Sequence, residues 1–185
     1  MARHSDSSTY QARRADDPTR FIPWLRDHSP AFQAIPASVL QHLFERGQTL
    51  KTERDELLLQ QGHRAERMFV VISGTLTMRV ERNGIIRELT SYGPGEVAGL
   101  LALVDQRDSP YEIRAASEAE VVAVDARYIG QLRAAYHPAG MVVLDAFMPM
   151  LVEHLRQLDD RAVRLAARKS ASMSGSGQTF RRDDR

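Results

Sequence analysis

A series of short apolar segments separated by turn residues, followed by one long heptad pattern, sets the first limit on the fold of this chain. Leu57-Leu58-Leu59 ends at Gln60-Gln61-Gly62, and Met68 to Ile72 is an apolar run closed by Ser73-Gly74. Leu76, Met78 and Val80 then alternate with Thr75, Thr77, Arg79 and Glu81, which is the period of a half-buried strand. Asn83-Gly84 predicts a two-residue hairpin into Ile85–Tyr92, and Gly93-Pro94-Gly95 breaks the chain. Two further strands are expected near Tyr111–Ala116 and Glu120–Val124. Many short strands between turns favour a sandwich or barrel, so the fold class is mainly β with flanking helices.

Helices bracket the strands. Phe21, Ile22, Trp24 and Leu25 begin the folded part, Pro36 marks a helix start, and Val39, Leu40, Leu43 and Phe44 come next at helical spacing. After the strands, Asp125 is placed to cap a helix over 126–135. A longer helix is expected from Pro138 to about Arg168. In it Leu144, Leu151, Leu158 and Leu165 recur every seventh residue, with Met148, Leu155 and Ala162 between them. This is an a/d seam, and Leu144, Met148, Leu151, Leu155, Leu158 and Leu165 are read as dimerisation residues. Pro149 removes one backbone bond inside the pattern and is expected to kink it. The domain reading is a disordered tail over 1–19, a barrel domain with N-terminal helices over 20–137, a dimerisation helix over 138–168, and a disordered tail over 169–185.

Composition removes several function classes. There are no cysteines, which excludes disulfides, thiolate zinc sites and cysteine nucleophiles. The net charge of +1 gives no general attraction to nucleic acid or anionic membrane. No unbroken apolar stretch reaches the roughly 20 residues of a membrane span, and Val97–Val104 is the longest near-apolar run, so a cytoplasmic protein without membrane contact is expected. The histidines are His4, His28, His42, His63, His137 and His154, with no His-x-His pair, so a metal site of the kind built in β-barrel enzymes is not expected. No nucleophile elbow or Walker loop is present, and the chain is read as a non-enzyme.

Specific residues carry a resemblance. Gln61-Gly62, Glu66 and Met68-Phe69-Val70-Val71-Ile72-Ser73-Gly74 resemble the early-barrel motif of the cyclic nucleotide-binding domain family, of the catabolite activator and fumarate–nitrate regulator type. Gly93-Pro94-Gly95-Glu96-Val97-Ala98-Gly99 looks like the entry to that family's phosphate-binding cassette. Ile113-Arg114-Ala115-Ala116 and Glu120-Val121-Val122-Ala123-Val124 match the strands after it. The resemblance implies a double-stranded β-helix, or jelly-roll, barrel and then a long helix. It also implies a cradle in which a short helix after Gly95 aims unpaired N–H groups at a cyclic phosphate. Gly95, Glu96, Gly99, Leu100, Leu101, Arg107 and Ser109 are the candidate ligand-binding residues.

The chain departs from the family where ligand is read. Leu100 stands where family members carry the glutamate that accepts from the ribose hydroxyl, and Ser109 and Pro110 stand where an arginine and a hydroxyl residue are expected. Losing two charge-assisted bonds costs about 3–6 kcal/mol, roughly a hundred- to ten-thousand-fold in affinity. Arg107 is two positions away, and Asp108 beside it repels a phosphate. The function expected is therefore a stand-alone regulatory or sensor domain with a degenerate cassette, signalling through its C-terminal helix to a second copy or a protein partner. The alternatives are a cyclic AMP or cyclic GMP regulator using a rearranged loop, and an adapter that binds no ligand. A cyclic nucleotide is the one small molecule suggested. The 17 residues after Arg168 lack the apolar content of a helix-turn-helix, so direct DNA binding is not expected.

Overall fold

The computed structural model describes residues 17–104 and 107–174. Its N-terminal helices are α1 (Ile22–His28), α2 (Pro30–Ala34) and α3 (Ala37–Phe44), preceded by a 3-10 turn at Pro18–Phe21 that lies partly in the expected tail. Prolines sit in the first turn of α1 and α2 and just before α3, where no backbone N–H partner is needed. Eight strands come next: β1 (Gln48–Thr52), β2 (Leu57–Leu59), β3 (Arg67–Ser73), β4 (Leu76–Arg82), β5 (Ile85–Tyr92), β6 (Val97–Ala98), β7 (Glu112–Ala115) and β8 (Ala119–Asp125). They form two antiparallel four-stranded sheets, ordered β1-β8-β3-β6 and β2-β7-β4-β5, which is the jelly-roll architecture.

The burial of each strand depends on its cover. Phe69, Val70 and Val71 in β3 are all at most 3% exposed, and Val121 to Val124 in β8 are equally buried. Consecutive buried residues require cover on both faces. Part of that cover comes from helices: α3 packs on β8, and α4 (Ala126–Ala134) packs on β3. The β4–β5 hairpin extends outward, so Ile85 and Ile86 are 57% and 60% exposed. Its turn places Asn83 and Gly84 at φ of 54° and 75°, the left-handed pair that a tight hairpin demands.

Asp125 caps α4 in keeping with its sequence position, accepting from the Arg127 N–H at 2.8 Å. Burial pushes the Asp125 pKa up, but bonds from the Arg127 side chain and backbone, the Arg127 charge and the Tyr128 N–H outweigh it, and the net shift is down. Asp125→Ala is therefore expected to lose about 1 kcal/mol at neutral pH. A depressed folded-state pKa makes this contribution present above the ordinary value of 3.8 and lost as pH falls through the folded value. Urea titrations of the two proteins should differ at pH 7 and converge in acid; a difference unchanged by pH would show that the cap acts without its charge.

The last helix, α5, runs from Pro138 to Ser174, six residues past the expected end at Arg168 and into the segment read as a disordered tail. Residues 1–16 and 175–185 of the expected tails lie outside the described residues. The chain divides into two compact units at Met148 and Pro149. The reason is packing. Gly140, Val143, Ala146 and Phe147 are buried, and the Phe147 ring meets Phe32 edge-on at 5.4 Å, so the first turns of α5 belong to the barrel unit. Gly140 is required there, because a Cβ on it would lie 2.7 Å from the Arg133 backbone nitrogen.

One segment of α5 reaches membrane-spanning length. Pro138–Asp160, with mean hydropathy 1.2, is long and apolar enough to cross a bilayer by length and composition alone. A count of unbroken apolar runs passes over it because Asp145 and Glu153 interrupt it. Val143, Ala146 and Phe147 within it are buried, whereas Met141, Met148, Val152, Leu155 and Leu158 are exposed.

Candidate functional site

The cassette begins where β5 ends. Gly95 has φ of +83°, donates to the Val71 carbonyl at 2.9 Å, and lets Val71 donate back to Glu96 at 3.0 Å. This anchors the Gly93–Glu96 turn on β3. The Glu96 carboxylate accepts from the Gly93 N–H at 2.6 Å, so it closes the turn on itself. β6 then pairs with β3 through Val97 and Ala98. Gly99, at φ of +82°, passes so close to β3 that a Cβ would stand 3.1 Å from the Arg67 carbonyl.

After Gly99 the chain forms a short 3-10 helix, Leu100–Leu103. The Ala102 N–H within it donates to the Gly99 carbonyl, and the Val104 N–H just after it to the Leu101 carbonyl, each at 3.0 Å. Leu100, Ala102 and Leu103 are buried at 3%, 0% and 1% exposure, whereas Leu101 is 40% exposed. Leu100 is therefore core, and Leu101 faces outward.

The far side of the cassette is pinned to residues 62–65. Ser109 donates its N–H to His63 at 2.8 Å and accepts from Gly62 at 2.8 Å, and Ala65 donates to the Arg107 carbonyl at 3.2 Å. Ser109 is buried, and its hydroxyl donates to the Tyr111 carbonyl at 2.7 Å. Arg107 and Asp108 are exposed. The seven candidate residues thus gather along one cassette, but Glu96 and Ser109 are engaged in its own backbone.

Two residues there escape the sequence reading. Tyr92 and Tyr111 are 2% and 8% exposed, and the Tyr92 hydroxyl reaches the Met78 sulfur at 3.8 Å. Burial drives the Tyr92 pKa up, with Tyr111 and Glu96 adding to the effect, so the phenol stays neutral. Their one sequence signal is position: Tyr92 directly precedes Gly93, and Tyr111 directly succeeds Pro110. Among the described residues the buried polar side chains are Ser29, Thr49, Thr52, Thr77 and Ser109, with no arginine or carboxylate. Arg79 and Arg114 on the second sheet pair with Glu88 at 3.2 Å and Glu112 at 2.8 Å. No group of three or more metal-ligating side chains occurs among the described residues.

Leu144 and Met148 lie one position around α5 from the residues that pack on the barrel. Leu144 is half-buried and Met148 is 43% exposed, whereas Val143 and Phe147 are covered. In the second unit Leu151 is half-buried, and Val152, Leu155 and Leu158 are 38%, 61% and 39% exposed. The Leu165 side chain lies outside the described residues.

Residues 49–136 match the family model for the cyclic nucleotide-binding domain. No curated protein matches the chain. Among solved structures, a cyclic nucleotide-binding domain from Methylobacillus flagellatus KT is 17% identical, with TM-score 0.69 over 80% of this chain and 85% of that one. The c-di-GMP-responsive global regulator of Xanthomonas campestris is 21% identical, with TM-score 0.62 over 71% of this chain and 65% of its own. The catabolite activator protein of Thermus thermophilus is 21% identical, with TM-score 0.60 over 74% of this chain and 63% of its own. At these identities the likeness is one of fold, and the chain spans less than two thirds of either regulator.

Proposed function

Taking residues 49–136 as a domain of the cyclic nucleotide-binding family, we propose that this chain is a cytoplasmic, non-catalytic regulatory module. In this reading its barrel is closed to cyclic nucleotides, and the exposed stripe of its C-terminal helix is its output surface. The observation that carries the reading is Ser109, which stands where the phosphate-binding arginine of the family would stand, is buried, and holds the Tyr111 carbonyl at 2.7 Å. A cyclic phosphate entering there would meet no buried cation and would have to displace that bond. Desolvating an anion without a charged partner is strongly unfavourable. Leu100, 3% exposed, offers no acceptor to a ribose hydroxyl.

The output half rests on the helix. An apolar stripe at heptad spacing, left exposed over Met148, Leu155 and Leu158, is the kind of surface that a second copy of the same helix covers. Leu144, Leu151 and Leu165 complete the proposed dimer seam. The test joins calorimetry with light scattering. Cyclic AMP and cyclic GMP should give no saturable heat up to about 1 mM, a level at which even weak sites fill. The wild type should scatter as a dimer, and Leu151→Asp/Leu158→Asp as a monomer with unchanged circular dichroism. Saturable binding at micromolar cyclic nucleotide would overturn the closed-barrel half, and a monomeric wild type would overturn the seam.

A further inference from the structure

A cleft of about 530 Å3 lies beside the C-terminal end of α3 and the start of α4, lined by Arg46, Asp125, Arg127, Tyr128 and Gln131. Its floor is fixed. The Tyr128 hydroxyl is hydrogen-bonded to His42 Nε2 at 2.5 Å, and the Arg46 guanidinium lies over the Tyr128 ring at 4.4 Å. The charges around it are unequally engaged. Arg127 holds both Asp125 and Glu66 at 3.2 Å, so these two carboxylates already have a cation. Arg46 has no carboxylate within 4 Å among the described residues, and its one partner is the tyrosine ring. Gln131 is exposed, and its amide makes no hydrogen bond among the described residues. The N–H groups that open α4 are taken by Asp125 and the Glu66 carbonyl, so any ligand would be read by side chains.

We propose that this cleft binds a small organic oxyanion of about mononucleotide size, a phosphate monoester or a polycarboxylate. Arg46 is the principal cation. A guanidinium resting over an aromatic ring leaves N–H groups available for two-pronged bonding to an oxyanion. Gln131 supplies an amide donor, and Arg127 contributes those N–H groups not directed at Asp125 and Glu66. The volume exceeds that of a bare ion and leaves room for the organic part of the ligand. The site is separate from the cassette, although α4 touches it: Arg133 donates to the Val104 carbonyl at 3.2 Å.

Calorimetry on the full chain at low salt tests this, with 5′-AMP, citrate and inorganic phosphate as separate titrants. Arg46→Gln is the diagnostic variant, and Arg107→Gln, in the cassette loop, is the control. The expected result is saturable binding of 5′-AMP or citrate, weakened about tenfold or more in Arg46→Gln and unchanged in Arg107→Gln. Binding of 5′-AMP alone assigns the phosphate monoester, and binding of citrate alone assigns the polycarboxylate. Three outcomes overturn the proposal: no binding of either at about 5 mM, well above the range of a functional site; equal binding by Arg46→Gln with an unchanged melting curve; or inorganic phosphate binding as tightly as both. Loss of binding in Arg107→Gln would place the ligand at the cassette and overturn it too.

Discussion

Phe32→Ala is expected to lose about 3–5 kcal/mol of stability, lowering the melting temperature by roughly 10 °C in a chain of this size. Phe32 is fully buried, and its ring meets Phe44 at 6.4 Å and Phe147 at 5.4 Å, both near edge-on. It therefore joins α2, α3 and the first turns of α5. Truncation leaves a cavity bounded by three helices, none of which can close it without leaving its own contacts. The measurement is a denaturant titration of Phe32→Ala, Phe147→Ala and the double variant. The two costs should sum to more than the double variant loses, by about 0.5–1.5 kcal/mol, because the ring pair is lost in either single change. Strict additivity, or a cost for Phe32→Ala below about 1 kcal/mol, would mean that α5 is not held to the barrel through this pair.

Gly74→Ala is expected to cost about 3 kcal/mol, whereas Gly84→Ala costs about 1 kcal/mol. Both glycines have nearly the same backbone, with φ of +77° and +75°, so the left-handed penalty is common to them. The surroundings differ. A Cβ on Gly74 would stand 2.1 Å from the Glu118 carbonyl oxygen and 2.7 Å from the Ala119 Cα, whereas a Cβ on Gly84 meets nothing within 4 Å. The extra cost at Gly74 is displacement of the β7–β8 connection by a backbone clash. Parallel urea titrations of the two variants measure the difference directly, and equal losses would contradict the close approach.

Most of the fold was legible because its signals are local. Asn83-Gly84 specifies its own turn, Asp125 caps the helix that starts beside it, and the alternation from Leu76 to Val80 marks a strand, although Thr77 on its polar side is buried together with Leu76 and Met78. The turns at Gly95 and Gly99 were legible, since both mark backbone that only glycine adopts cheaply. The hydrogen bonds of the side chains around them were not. Ser109 and Glu96 read as ligand contacts, yet each is bound within the loop, to Tyr111 and to Gly93. A hydroxyl or carboxylate can turn toward a ligand or toward its own backbone, and residue type does not distinguish the two. Tyr92 and Tyr111 were missed for a related reason: an aromatic at a strand end faces in or out according to the sheet it joins.

Local residue patterns settled the order of elements, the glycine-dependent turns, the cap at Asp125 and the heptad stripe, because each depends on residues within a few positions of one another. Packing between distant segments was needed to settle that β8 pairs with both β1 and β3, that Leu100 and Ser109 are buried, and that Val143 and Phe147 join the barrel while Met148 stays exposed. It also brought Arg46 of the α3 end onto Tyr128 of α4. These outcomes depend on which distant segments meet and exclude water between them, and burial of that kind is a property of the packed chain and not of any stretch of it.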